Sequence, residues 1–215
     1  MKINPSAGLI GAEITDVDVA RTIEGHELDE IMAALDCYAV VVIRDQALEP
    51  RQLAAFGRHF GKPQVNVRSE ANNNDVPEVG WITNVHRDGR RLGSHDAGRY
   101  WHSDLCYLDL PSSYTLLNAL EVPERDGVVY GDTEFSGMAA AYDALPADMK
   151  DRLAGLKAAN SYRRMWNRKA LEFGDRDFLS DEDLEKYPPD AIHPVVRIHP
   201  STGRKCLYVC DGYTS

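Results

Sequence analysis

Residues 38–46, YAVVVIRDQ, hold an unbroken β-branched run between two amphipathic stretches. A continuous apolar run of that length reads as a buried strand. Before it, Leu28, Ile31, Met32 and Leu35 fall at i, i+3, i+4 and i+7, which predicts a helix over 27–37. After it, Pro50 fits the first turn of a second helix, whose Leu53, Phe56 and Phe60 form one stripe before Gly61 stops it. A strand set between two such helices needs a sheet to pair with and leaves the helices outside that sheet.

Short strand-like segments then dominate the centre: VGWITNV, the stretch around YWHSDLCYL, and SYTLLNALEV. SGMAAAYDAL and PADMKDRLAGL read as two helical pieces broken at Pro146, with Met149, Leu153 and Leu156 keeping helical spacing. HPVVRIHP and RKCLYVC read as a strand pair joined by the turn STG. The Asn-rich residues 66–78 predict a loop, and the acidic residues 174–190 a solvated loop or short helix. The expected class is mixed β with flanking helices, residues 1–215 making a single domain.

Charge and hydropathy remove several functions. The net charge of −10 argues against a nucleic-acid partner. No apolar run approaches the roughly 18 to 20 residues that span a bilayer. Pro5, Gly8 and Gly11 break the N-terminal segment, which lacks the apolar core of a signal peptide, so a cytoplasmic location is the default expectation. Cys37, Cys106, Cys206 and Cys210 show no C-x-x-C spacing and read as reduced thiols. Arg87, Arg90, Arg91 and Arg99 crowd residues 86–99, either as a flexible surface loop or as a basic collar that draws in an anionic substrate.

In GRYWHSDLCY, His102 and Asp104 stand one residue apart among strand-forming neighbours. On a strand they leave from one face, a geometry suited to chelation by an imidazole and a carboxylate. A bare His-x-Asp is a weak signal by itself. Trp101 alternates away from that face and reads as core, while Leu105 and Tyr107 read as pocket wall or ordinary packing. A lone GDT at residues 131–133 reads as a turn with an Asx-type hydrogen bond.

Four segments in the same order change that weighting. VVVIRDQALEPRQLAAFGRHFGKP, YWHSD, GDTEFSGMAAAYDALP and HPVVRIHPSTGRKCLYV together resemble the TauD/TfdA family of Fe(II)- and 2-oxoglutarate-dependent dioxygenases. The resemblance implies a double-stranded β-helix, a jelly roll with iron at its mouth. It also implies a 2-His-1-carboxylate facial triad with open positions for 2-oxoglutarate and O2, of which His102 and Asp104 would be the first two ligands. Such enzymes hydroxylate a small, often anionic molecule of sulfonate or carboxylate type and release succinate and CO2. Thr133, 29 positions after Asp104, would hydrogen-bond 2-oxoglutarate, although residues 127–130 lengthen the loop before it beyond the family's usual short Gly-Gly.

In the family a distal histidine ligand and a 2-oxoglutarate-binding arginine follow further along. The chain ends at CDGYTS without matching positions, and neither His193, His199, Arg197 nor Arg204 fits those roles, because all four fall in the earlier strand pair. The expectation is therefore a truncated barrel with weak iron affinity and exposed strand edges, which aggregates or pairs with a second copy. A non-catalytic barrel fragment is the competing reading. A zinc hydrolase built on His102 and Asp104 stands last, since no general base is visible.

Overall fold

The computed structural model describes residues 1–65, 72–73 and 75–215. Most of the loop expected at 66–78 thus lies outside the described residues. Strands β1 (Lys2–Pro5) and β2 (Ala12–Thr15) pair antiparallel, Ile3 opposite Ile14, and β3 (Val41–Ile43) joins β2 in parallel, Ala12 opposite Val41. Helix α1 (Gly25–Tyr38) makes the crossover. Its first turn is closed by Glu24 and Glu27 in a reciprocal capping box, and Ala39 leaves it at φ 63°. Helix α2 (Pro50–Gly57) starts with Pro50 behind its own capping pair, Glu49 and Gln52, and tightens into a 3-10 turn at Arg58–Phe60.

These elements share one apolar core, in which Ile14, Ile31 and Phe56 meet Val17, Val19, Ile23 and Leu48. Burying Ile14 and Ile31 stabilises the fold by about 1.5–3 kcal/mol each. The strand of the β-branched run is shorter than expected, and Val42 is 43% exposed. Side chains alternate along the strand, so Val41 and Ile43 pack on the core while Val42 points to the opposite, uncovered face.

Between residues 80 and 137 regular structure is sparse. Two hairpins, β4 (His86–Arg87) with β5 (Arg90–Arg91) and β6 (Glu124–Arg125) with β7 (Val128–Val129), precede helices α3 (Met138–Asp143) and α4 (Ala147–Leu153). VGWITNV is no full strand: Thr83 N–H donates to Ser94 and Ser94 N–H to Trp81, with isolated bridges instead of a ladder. SYTLLNALEV forms no strand either, and Leu117 and Leu120 face solvent. An apolar β-former composition cannot make a strand where no partner backbone lies alongside.

The C-terminal half supplies the frame of the site. Strand β8 (Lys157–Asn160) pairs with β9 (Ala191–Pro194), and β10 (Val196–Ile198) with β11 (Lys205–Leu207), Arg197 opposite Cys206, as the strand-pair reading expected. Between them run α5 (Tyr162–Phe173) and α6 (Asp181–Leu184). Helix α5 is capped by the Ser161 hydroxyl, which accepts from Arg164 N–H, and ends at Gly174 in the left-handed region, φ 62°. Ala159 and Ser215 exchange both backbone hydrogen bonds, so the chain's last residues lie against β8. Among the described residues the sheets are small and separate, and α1 and α2 pack on the three-stranded one. Among the described residues no helix is long and apolar enough to cross a membrane.

Candidate metal centre

The segment carrying His102 is coil leading into a turn at 104–107, with Leu105 at φ 53°, and not the strand expected from its composition. It is held from outside. Asp211 N–H donates to Trp101 O at 3.0 Å, and Ser103 N–H points at Cys210 Sγ at 3.2 Å. Arg168 on α5 donates to Asp211 O at 3.0 Å and reaches its carboxylate at 3.2 Å. Gly212 passes so close to Tyr100 that an added Cβ would sit 2.7 Å from the ring. Trp101 is 53% exposed, so it is not core: without a pleat, alternation along the chain no longer buries the neighbour of His102.

The two polar side chains nevertheless converge. His102 Nδ1–H donates to Tyr100 O at 2.8 Å, the tautomer following from the carbonyl's inability to donate, and this turns Nε2 outward. Asp104 Oδ1 lies 3.1 Å from Nε2, and Thr115 Oγ1–H donates to Oδ2 at 2.7 Å. The hydrogen bond to Asp104 raises the His102 imidazole above its ordinary value against the effect of burial. That same bond lowers the Asp104 carboxyl, burial opposing and the Thr115 hydroxyl assisting. The side chains are 29% and 44% exposed, so an ion can reach them.

The pair fits a metal. Ligand bonds of about 2.1 Å meeting at a right angle place adjacent donor atoms about 3 Å apart, the observed separation of Nε2 and Oδ1. The backbone carbonyl on Nδ1 and the hydroxyl on Oδ2 are the outer hydrogen bonds that orient such ligands. Among the described residues no third His, Cys, Asp or Glu gathers with them.

A cavity of about 170 Å³ opens beside the pair. Leu105 and Tyr107 line it, as does Tyr213. Tyr107 is buried and stacks on Tyr213 at 5.9 Å, 11° between planes, while Tyr213 lies 6.1 Å from the His102 ring. One wall is charged. Asp96 and Lys169 are both buried, Lys169 Nζ lies 3.2 Å from Asp96 Oδ2, and Arg176 also pairs with that oxygen. Burial alone would raise the Asp96 carboxyl, but Lys169 and Arg176 outweigh it and hold it at about 2.

Thr133 is exposed coil between β7 and α3, and among the described residues no hydrogen bond joins it to His102 or Asp104. His193 is buried with Nε2 2.9 Å from Leu108 O, and Arg204 pairs with Asp143 at 2.7 Å. Of the basic residues at 86–99, Arg99 reaches the cavity while pairing with Asp175 at 3.4 Å, and Arg87 points to solvent. The side chains of Arg90 and Arg91 lie outside the described residues. Sequence reasoning missed Thr115, Asp96, Lys169 and Tyr213. Only α5 had a readable signal, the Ser161 cap and the Gly174 stop around an amphipathic stretch.

The family model for taurine catabolism dioxygenases, the TauD, TfdA family, matches residues 2–215. The chain is 34% identical to the alpha-ketoglutarate-dependent 2,4-dichlorophenoxyacetate dioxygenase of Cupriavidus pinatubonensis, over 96% of this chain and 72% of that protein. It superposes on the crystal structure of a taurine dioxygenase from Burkholderia xenovorans with a TM-score of 0.74 and 27% identity, over 100% of this chain and 64% of that one. It also superposes on AAD-2 in complex with Mn(II) and N-oxalylglycine, with a TM-score of 0.72 and 25% identity, over 99% and 73% of the two chains.

Proposed function

Because the chain belongs to the TauD/TfdA family of dioxygenases, we propose that residues 1–215 form a single dioxygenase domain of double-stranded β-helix type that hydroxylates a small anionic molecule. Membership brings the cofactors of alpha-ketoglutarate-dependent dioxygenases: Fe(II), 2-oxoglutarate and O2. Bound iron supplies the coupled oxidation, in which one oxygen atom of O2 enters succinate as CO2 leaves and the other enters a substrate C–H bond.

The chain's own residues bind and orient. His102 Nε2 and Asp104 Oδ1 hold the metal, with Tyr100 O fixing the imidazole tautomer and Thr115 keeping the carboxylate turned toward it. Thr133 hydrogen-bonds 2-oxoglutarate in this reading, a role that rests on the GDT segment alone. Leu105 and Tyr107 form substrate wall and exclude water from the reacting carbon. The substrate is a sulfonate or carboxylate, a class supported by the 2,4-dichlorophenoxyacetate and taurine named for its relatives.

One observation carries the reading: an imidazole nitrogen and a carboxylate oxygen 3.1 Å apart, each oriented by an outer hydrogen bond. Anaerobic titration with Fe(II) and 2-oxoglutarate, following the visible charge-transfer band of the chelate, tests it. A band lost in His102→Ala is the expected result. Absence of a band in the wild-type protein, or a band untouched by the substitution, would refute the assignment.

A further inference from the structure

The charged wall of the cavity has no part in holding metal, and its arrangement is unbalanced. Lys169 Nζ donates to the Asp96 carbonyl at 3.0 Å and lies 3.2 Å from its carboxylate. An ammonium has three N–H donors, so one is left for the cavity that Lys169 lines. The ion pairs agree. Asp96 takes both Lys169 and Arg176, and Asp175 takes Arg176 and Arg99. Three basic side chains therefore share two carboxylates, with Lys169 and Arg176 nearly withdrawn from water; burial lowers the Lys169 ammonium below its ordinary value, with Asp96 opposing. His95, 3.8 Å from Asp175, adds no negative charge.

Leu105, Tyr107, Met165 and Tyr213 give the lining an apolar and aromatic part, and Ser94 and Arg99, the latter already paired with Asp175, line it as well. At about 170 Å³ the cavity slightly exceeds the roughly 150 Å³ that holds a benzene molecule.

We propose that Lys169 is the specificity-determining residue that holds the anionic end of the substrate, a small acid with one ring-sized apolar body, in the cavity it shares with His102 and Asp104. This rests on the dioxygenase reading above for the identity of the ligand as substrate, though not for its binding. The third ammonium N–H meets the acid group, and the body lies against Tyr107, Tyr213 and Met165. A buried cation that shares its counter-ion gains most from a further anion. Neutral analogues of the same shape should therefore bind poorly.

The test is calorimetric titration of the metal-free protein with phenoxyacetate and with neutral 2-phenoxyethanol. The wild type should prefer the acid. Lys169→Met should weaken phenoxyacetate about tenfold or more and leave 2-phenoxyethanol unchanged, while Lys169→Arg retains the preference. Asp96→Asn supplies the opposite sign: it frees Lys169 from its counter-ion and should hold or tighten phenoxyacetate. If Lys169 only props the fold, both Lys169→Met and Asp96→Asn weaken the acid alike, which overturns the proposal. No phenoxyacetate binding to the wild type, or equal binding of acid and alcohol, also overturns it. If Lys169→Met does not fold, the sign of the Asp96→Asn effect decides. A parallel Mn(II) titration separates the two claims: Mn(II) bound without acid preference sinks the Lys169 role, and acid preference without Mn(II) binding sinks the metal assignment.

Discussion

Replacing Asp96 by Asn asks how much of the site's framework depends on one buried carboxylate. Asp96 is 4% exposed, and its carboxyl is held at about 2, against an ordinary 3.8, by Lys169 and Arg176. That difference corresponds to about 2 kcal/mol of stability at neutral pH. Breaking a buried pair outright costs more, about 3–5 kcal/mol, when the surviving charge has nowhere to turn. Here each cation keeps an alternative: Arg176 pairs with Asp175 at 2.9 Å, and Lys169 donates to the Asp96 backbone carbonyl at 3.0 Å. The lower figure should therefore hold. The pH dependence follows from a depressed folded-state value. The contribution is complete above the unfolded value of 3.8 and is lost as pH falls through about 2. Urea unfolding of wild type and Asp96→Asn from pH 7 downward should show a gap of about 2 kcal/mol that starts to close below about pH 5 and is small near pH 2. A gap below about 0.5 kcal/mol at pH 7, or one that does not shrink in acid, would refute the reasoning.

Three further substitutions probe other links. Thr115→Val removes the hydroxyl 2.7 Å from Asp104 Oδ2 and should weaken Mn(II) binding by about tenfold to a hundredfold with the fold intact; unchanged Mn(II) affinity would show that the hydroxyl does not orient the carboxylate. Gly212→Ala drives a Cβ into the Tyr100 ring at 2.7 Å and should cost about 1–3 kcal/mol in thermal or urea unfolding, with loss of metal binding because the same segment pins Trp101 O; a neutral effect would mean that the ring moves aside freely. Ile31→Ala, in the core between α1 and the three-stranded sheet, should cost about 2–5 kcal/mol without touching Mn(II) affinity per folded molecule, measured by unfolding and titration side by side.

What could be read along the chain was local. Helix α1 was visible in the spacing of Leu28, Ile31, Met32 and Leu35, helix α2 in Pro50 and its stripe, and the β10–β11 hairpin in its turn, because each is decided by residues a few positions apart. The family was legible for a related reason, since four segments in fixed order survive without any knowledge of contacts. His102 and Asp104 were legible as a pair because only one residue separates them.

The rest depended on partners far away in the chain. YWHSDLCY and SYTLLNALEV have the composition of strands, but among the described residues no neighbouring backbone completes a ladder with them, and Trp101 and Leu117 are exposed. Thr115 comes to Asp104 from 11 positions on, Lys169 to Asp96 from 73, and Cys210 to Ser103 from 107. Sequence by itself determined which residues have the chemistry to bind a metal and which segments form helices. Only the tertiary structure decided which carboxylate is oriented, which lysine is buried with a shared counter-ion, and where a cavity opens beside the pair. Hydrogen bonds and ion pairs act within a few ångströms, and the distances between those residues are set by packing, which no spacing along the chain records.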